Sequence, residues 1–246
     1  MLSSTTITQL ILTAACVLIT LSIHEYAHGY AAYKLGDNTA SSLGRLSLNP
    51  LRHLDPFGAL CMLFFHFGWA KPVPIDPRNF KKPKKDFAIT ALAGPLANVI
   101  LAFISAFFLL LLSGLFKYSD NAFLNSLMSN TLLFIYLFHS VNIGLGIFNL
   151  LPIPPFDGSR ILNVLLPEKM YFRLMKYERY IYLGVLGWLF LGGSVYSFLM
   201  SIGFIASSPV LSAIASVFAL SMHISNAAGF LSDAMLRFWQ LIPALR

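Results

Sequence analysis

Residues 7–35 read ITQLILTAACVLITLSIHEYAHGYAAYKL. From Ile7 to Ile23 no side chain is charged, and apolar residues fall all round rather than on one stripe. A helix of that kind is buried on every side, in a large core or in lipid. Continued to Leu35 it is about 43 Å long at 1.5 Å per residue, enough to cross a hydrocarbon core of about 30 Å and emerge. Lys34 in the last turn and Gly36 just beyond it give the helix a stop. At its polar end stands His24-Glu25-Tyr26-Ala27-His28. The first basic residue is Lys34, so the run lacks the positive n-region of a secretory signal peptide.

The rest of the composition agrees with lipid. Of 246 residues, 57% are hydrophobic and only 11% charged, with mean hydropathy +0.72. Soluble domains carry about 25% charged residues. Disorder is excluded by 22 Phe, 10 Tyr and 3 Trp. The net charge of +7 is clustered rather than spread. Nine of the 17 Lys and Arg lie from Lys34 to Lys85 and five from Arg160 to Arg179, with only Lys117 between. Basic clusters beside apolar runs follow the positive-inside rule and do not point to nucleic acid. They predict that loops 34–86 and 152–180 are cytoplasmic, that the N-terminus lies outside, and that the run Lys81-Lys82-Pro83-Lys84-Lys85 anchors to anionic head groups. Cys16 and Cys61 both lie in apolar segments and form no metal-binding spacing.

Two more spans are predicted at 87–116 and 131–151, and a further apolar helix at 181–205. From 206 to 246 the pattern fits one long span or two shorter interfacial helices. Residues 57–75 begin with a 14-residue apolar piece, too short to span, and continue through Pro72 and Pro74. They read as a re-entrant segment, a strand hairpin or an interfacial loop, and periodicity does not choose between these.

On a helix His24 and His28, at i and i+4, share one face. Two imidazoles so placed bind one Zn²⁺, and the Glu beside the first serves as general base. Ionisable groups at membrane depth are expensive and mark a task. A catalytic zinc takes three protein ligands, so a third is needed at the same depth. The third span ends on the same side as the first, and past it comes Asn149-Leu150-Leu151-Pro152-Ile153-Pro154-Pro155-Phe156-Asp157-Gly158. Asp157 is the candidate; taken alone, Asp-Gly is also a common turn pair. His139, Asn142, Gly146 and Asn149 share one helical face, polar within a span. That face should look inward, toward the site or into interhelical hydrogen bonds. Asn98, one turn after Gly94, is open to the same two readings, while His53, His66 and His223 read as loop or interfacial residues.

Both motifs resemble those of the intramembrane site-2 metalloproteases, peptidase family M50. That family pairs a His-Glu-x-x-His helix with a later Asn-x-x-Pro-x-x-Pro-x-Asp-Gly stretch. The likeness covers roughly residues 20–165 and includes Gly44-Arg45-Leu46-Ser47-Leu48-Asn49-Pro50, Gly68-Trp69-Ala70-Lys71-Pro72-Val73-Pro74 and Ala93-Gly94-Pro95-Leu96-Ala97-Asn98. It resembles the compact prokaryotic branch, in which the zinc-binding helix comes first. The resemblance implies an all-α polytopic membrane protein. Its three-helix catalytic core, with a short re-entrant or β segment, would occupy 1–165, and further membrane helices 166–246. It implies one Zn²⁺ per chain on His24, His28 and Asp157, with Glu25 as acid/base and Asn149 steadying the carbonyl or water. Asn142 and Asn98 are supporting candidates. The implied reaction is hydrolysis of peptide bonds in or near transmembrane segments of membrane-protein substrates, close to the cytoplasmic face. The alternative is a membrane transporter or metal carrier using the same His and Asp. Glu25 discriminates, because a carrier has little need of a non-ligand Glu at this spacing, and no inverted repeat is visible.

Overall fold

Apolar sequence without helix breakers gives long helices, and in the computed structural model three of them are long and apolar enough to cross a membrane. The structure describes residues 4–58, 70–116, 120–162, 164–167, 169, 170, 173, 176–202, 207, 208, 220–242 and 245. The chain is a multi-pass, all-α membrane protein. Helix α1 spans Ser4–Lys34 and is followed by the short α2, Thr39–Ser42. Helix α3 spans Pro83–Leu115 and α4 spans Ala122–Asn149. The short α5, Asp157–Leu162, then precedes α6, Glu178–Ser201, and α7, Leu220–Trp239. Single 3₁₀ turns stand at Pro50–Arg52 and Pro77–Asn79.

The helix starts differ from the sequence expectation for identifiable reasons. Helix α3 begins at residue 83 rather than 87, because a proline is tolerated at the first helical position, where its missing N–H is not needed. The Asp86 carboxylate, buried under this first turn, accepts from Lys82 N–H at 2.8 Å. Helix α4 begins at 122 rather than 131. The Asn121 side chain caps it, accepting from Phe123 N–H at 2.9 Å and Leu124 N–H at 3.3 Å. Residues 122–130, in which Asn and Ser alternate with apolar residues, therefore extend the helix beyond its apolar run. The apolar stretch expected at 181–205 is helical from 178 to 201. Of residues 206–246, where one long span or two short or interfacial helices are expected, 220–239 form one helix, and residues 209–219 lie outside the described residues.

Helices α1, α3 and α4 pack against one another, with small residues letting the backbones approach. Ala102 and Ala106 of α3 are fully buried against Ile143 of α4. Gly146 of α4 faces Asn98 and Val99, leaving 3.5 Å to where a Cβ would stand. Helix α7 covers the outer part of this contact with Met235, Leu231 and Trp239. Trp239 Nε1–H donates to Phe103 O at 2.9 Å, and Ser232 Oγ–H donates to His139 Nε2 at 2.8 Å. His139 Nδ1–H donates to Ala102 O at 2.8 Å. On the polar face expected of α4, His139 thus uses both ring nitrogens in interhelical hydrogen bonds, as a buried polar group in lipid must.

No strand is present among the described residues, but Leu54 and Ala70 form an isolated antiparallel bridge. Lys71 N–H donates to His53 O at 2.8 Å beside it. The bridge brackets the segment expected to be re-entrant; its residues 59–69, including His66, lie outside the described residues. Past the bridge, residues 71–76 form neither helix nor strand and lie against α1, where Val73 meets Glu25 and Gly29.

Candidate metal centre

Two elements bring their polar residues to one point. Helix α1 supplies His24 and His28, 4% and 6% exposed, and the start of α5 supplies Asp157. Their Nε2 atoms are 3.0 Å apart, and each is 3.2 Å from Asp157 Oδ2. Among the described residues this is the one group of His, Cys, Asp or Glu whose atoms could share an ion.

The donor set fits zinc on three counts. Metal–ligand bonds of 2.0–2.2 Å at tetrahedral angles set neighbouring ligands about 3.3–3.6 Å apart. The triangle here is only a few tenths of an ångström smaller. His28 Nδ1 donates to Thr90 O at 2.7 Å, so the neutral ring presents its Nε2 lone pair to the other two atoms. Asp157 Oδ2 is buried without a hydrogen-bond donor. Lone pairs gathered at this separation repel unless a cation lies between them.

Local sequence explains the convergence. Gly94 stands where α3 crosses the two imidazoles. A Cβ there would lie 2.6 Å from His28 Cε1 and 2.7 Å from His24 Cε1. At Gly158 a Cβ would collide with the backbone of Leu150 and Leu151, so only glycine lets α5 start against the end of α4. Asn98, fully buried on α3, sets its amide Nδ2 3.1 Å from His24 Nδ1.

Glu25 points beside the triangle, where its Oε2 accepts from Val73 N–H at 2.8 Å. The piece carrying Val73 is pinned from its far side. Arg45 Nη2 donates to Lys71 O at 2.9 Å and Pro72 O at 3.2 Å. A cavity of about 720 Å³ opens over these groups. Asn149, Phe156 and Arg160 line it on one side and Val73 and Ile75 on the other. Asn149 Nδ2 donates to Leu145 O at 3.0 Å.

The structure therefore gathers His24, Glu25, His28, Asp157 and Asn149 around one cavity and sets Asn98 behind His24. Asn142 lies elsewhere: fully buried, it donates to Thr20 Oγ1 at 3.0 Å, one turn before His24. Sequence reasoning did not single out Thr90, whose contribution is a backbone carbonyl, nor Val73, Phe87, Arg160 and Tyr182. It names Gly94 only within the matching stretch 93–98, not as the floor of the site. The spacing of Thr90, Gly94 and Asn98 at i, i+4 and i+8 was the available signal, since it matches the i, i+4 step of the two histidines.

Comparison with known proteins adds an independent line. The model of peptidase family M50 matches residues 12–191, past the end of the motif-bearing stretch. Three relatives bearing the name "Putative zinc metalloprotease" are similar in sequence. YwhC of Bacillus subtilis (strain 168) is 42% identical over 164 residues, 67% of this chain and 73% of its own. Rip2 of Mycolicibacterium smegmatis is 29% identical over 167 residues, 62% of this chain and 56% of its own. MJ0611 of Methanocaldococcus jannaschii is 42% identical over 89 residues, 35% of this chain and 38% of its own. No solved structure matches.

Proposed function

The chain belongs to peptidase family M50 as a membrane-embedded zinc metalloprotease, and from that premise we propose that it cleaves transmembrane segments of membrane-protein substrates near the cytoplasmic face, in regulated intramembrane proteolysis. The observation that carries this reading is the meeting of His24, His28 and Asp157 beside Glu25. In it, residues 1–165 form the catalytic core and 166–246 an accessory membrane region.

His24, His28 and Asp157 would hold the zinc, two neutral imidazoles and one carboxylate leaving a fourth position open. When bound, zinc supplies Lewis acidity, lowering the pKa of a water to about 7 and polarising a carbonyl. Glu25 takes the proton of the attacking water on its carboxylate and returns it to the leaving amine. Its hydrogen bond from Val73 N–H fixes the carboxylate beside the triangle while the other oxygen stays available. Asn149 lines the cavity and can turn its amide toward the developing oxyanion by giving up its bond to Leu145 O.

A transmembrane helix hides its amides in its own hydrogen bonds and must unwind to be cut. The run 70–75 borders the cavity and offers an edge along which an unwound strand can lie. Orientation follows from the charges. Lys84 Nζ donates to Leu166 O at 2.8 Å, so the two basic loops lie at one end of the bundle. Assigning that end to the cytoplasm places the cavity close to the water it needs.

Zinc content and cleavage of a model transmembrane peptide test the reading together. Wild type should hold one zinc per chain and cleave. Glu25→Gln should hold zinc equally and lose roughly 10²-fold or more in rate. Asp157→Ala should lose zinc and activity together. Equal cleavage by wild type and Glu25→Gln would remove the hydrolytic role, and zinc without any cleavage would favour a carrier.

A further inference from the structure

One face of α3 runs against the metal-facing stripe of α1 through three residues, Thr90, Gly94 and Asn98. Thr90 O takes the Nδ1 proton of His28, and Gly94 leaves room for both rings. Asn98 is fully buried, its amide stands 3.1 Å from His24 Nδ1, and its Oδ1 is buried with no hydrogen-bond partner. A neutral imidazole carries one proton, and the nitrogen without it is the one that binds a metal. His24 aims Nε2 at the triangle, so zinc binding puts its proton on Nδ1, and that proton needs an acceptor. Nδ2 cannot accept; Oδ1 can, and a half turn of the amide exchanges the two.

Resting on the zinc reading above, we propose that Asn98 is a positioning residue for the metal: its Oδ1 accepts the Nδ1 proton of His24 and holds that ring with the Nε2 lone pair on zinc. Thr90 O does the same for His28, so α3 sets the tautomer of both rings. The orphaned oxygen is what distinguishes this from an ordinary interhelical bond, which would be complete with Nδ2 alone. Groups that orient ligating histidines in this way typically change metal affinity 10–100-fold when removed.

The test uses the purified full-length chain in detergent, with zinc affinity measured by chelator competition. Asn98→Asp keeps an acceptor of the same shape and should bind zinc within about threefold of wild type or more tightly. Asn98→Leu removes it at similar volume and should bind roughly 10–100-fold more weakly. Wild-type affinity in Asn98→Leu overturns the proposal, as does a folded Asn98→Asp that binds as weakly as Asn98→Leu. Should Asn98→Leu not fold, ¹⁵N-histidine spectra of zinc-loaded wild type and Asn98→Asp decide. A His24 Nδ1 proton whose chemical shift moves in zinc-loaded Asn98→Asp supports the assignment, and one that does not move overturns it. Wild type that binds no zinc defeats the functional reading itself, whereas zinc-binding wild type with an indifferent Asn98 defeats only this inference.

Discussion

At the scale of single residues, the centre depends as much on an absent methyl as on its polar groups. Gly94 gives the two imidazoles the space a Cβ would occupy, 2.6–2.7 Å from their Cε1 atoms. Gly146, on the facing helix, leaves 3.5 Å, an ordinary contact. Gly94→Ala should therefore weaken zinc binding at least tenfold, because a 1 Å displacement is enough to spoil a ligand set. Gly146→Ala should change it less than threefold, since helix propensity even favours alanine there. Zinc titration of both variants, at matched helix content by circular dichroism, checks the pair. The two glycines look alike in sequence, each beside small residues in an apolar helix. What separates them is which neighbour sits opposite.

At the scale of elements, the site needs the segment 70–75 held against α1, and Asp37 ties down its C-terminal end. Its carboxylate is fully buried and accepts from Thr39 N–H at 3.0 Å, Asp76 N–H at 2.8 Å and Asn79 Nδ2 at 2.8 Å, besides the Thr39 hydroxyl. The loop leaving α1 is thereby tied to the loop entering α3. Burial pushes the Asp37 pKa up, but the donors from Thr39, Asn79 and Asp76 outweigh it, and the net shift is downward. A carboxylate whose folded pKa is depressed adds stability above its unfolded value of about 3.9, and that stability is lost as pH falls through the folded pKa. Thermal melts should accordingly fall on acidification below about pH 4. Asp37→Asn should cost on the order of 2–3 kcal/mol at neutral pH and show a shallower acid limb than wild type. An unchanged acid limb would mean that another carboxylate governs it. Gly36, at φ +110°, is the residue that lets the chain turn sharply enough for Asp37 to reach inward.

At the scale of the whole molecule, the two basic loops gather at one end of the bundle, and Asp120 and Asn121, before α4, stand at the other. In a background with Cys16 and Cys61 replaced by alanine, Lys85→Cys and Asp120→Cys place single thiols on exposed residues at opposite ends. A membrane-impermeant thiol reagent added to intact cells should label Asp120→Cys and leave Lys85→Cys unmodified until the cells are opened. The reverse pattern would invert the orientation and move the cavity to the outer face. Helix α7 closes the opposite flank of the core through His139, Ser232 and Trp239, remote from the triangle. It contributes to packing and not to the ligand set.

What the sequence determined alone was whatever follows from local pattern. Apolar run length fixed the spans, because lipid admits backbone only with its hydrogen bonds closed internally. The i, i+4 spacing fixed that His24 and His28 share a face, and alternation of basic loops fixed that Asp157 returns to the same end as His28. Helix starts shifted by up to nine residues, since Asn121 and Pro83 act through caps that hydropathy does not register. The tertiary structure alone decided what faces the histidines. Asn142 and Asn98 are equivalent by sequence criteria, each a buried amide in an apolar helix, yet one meets Thr20 and the other His24. Helix rotation and close approach set that difference. They arise from packing summed over three helices, which no window along one chain segment contains.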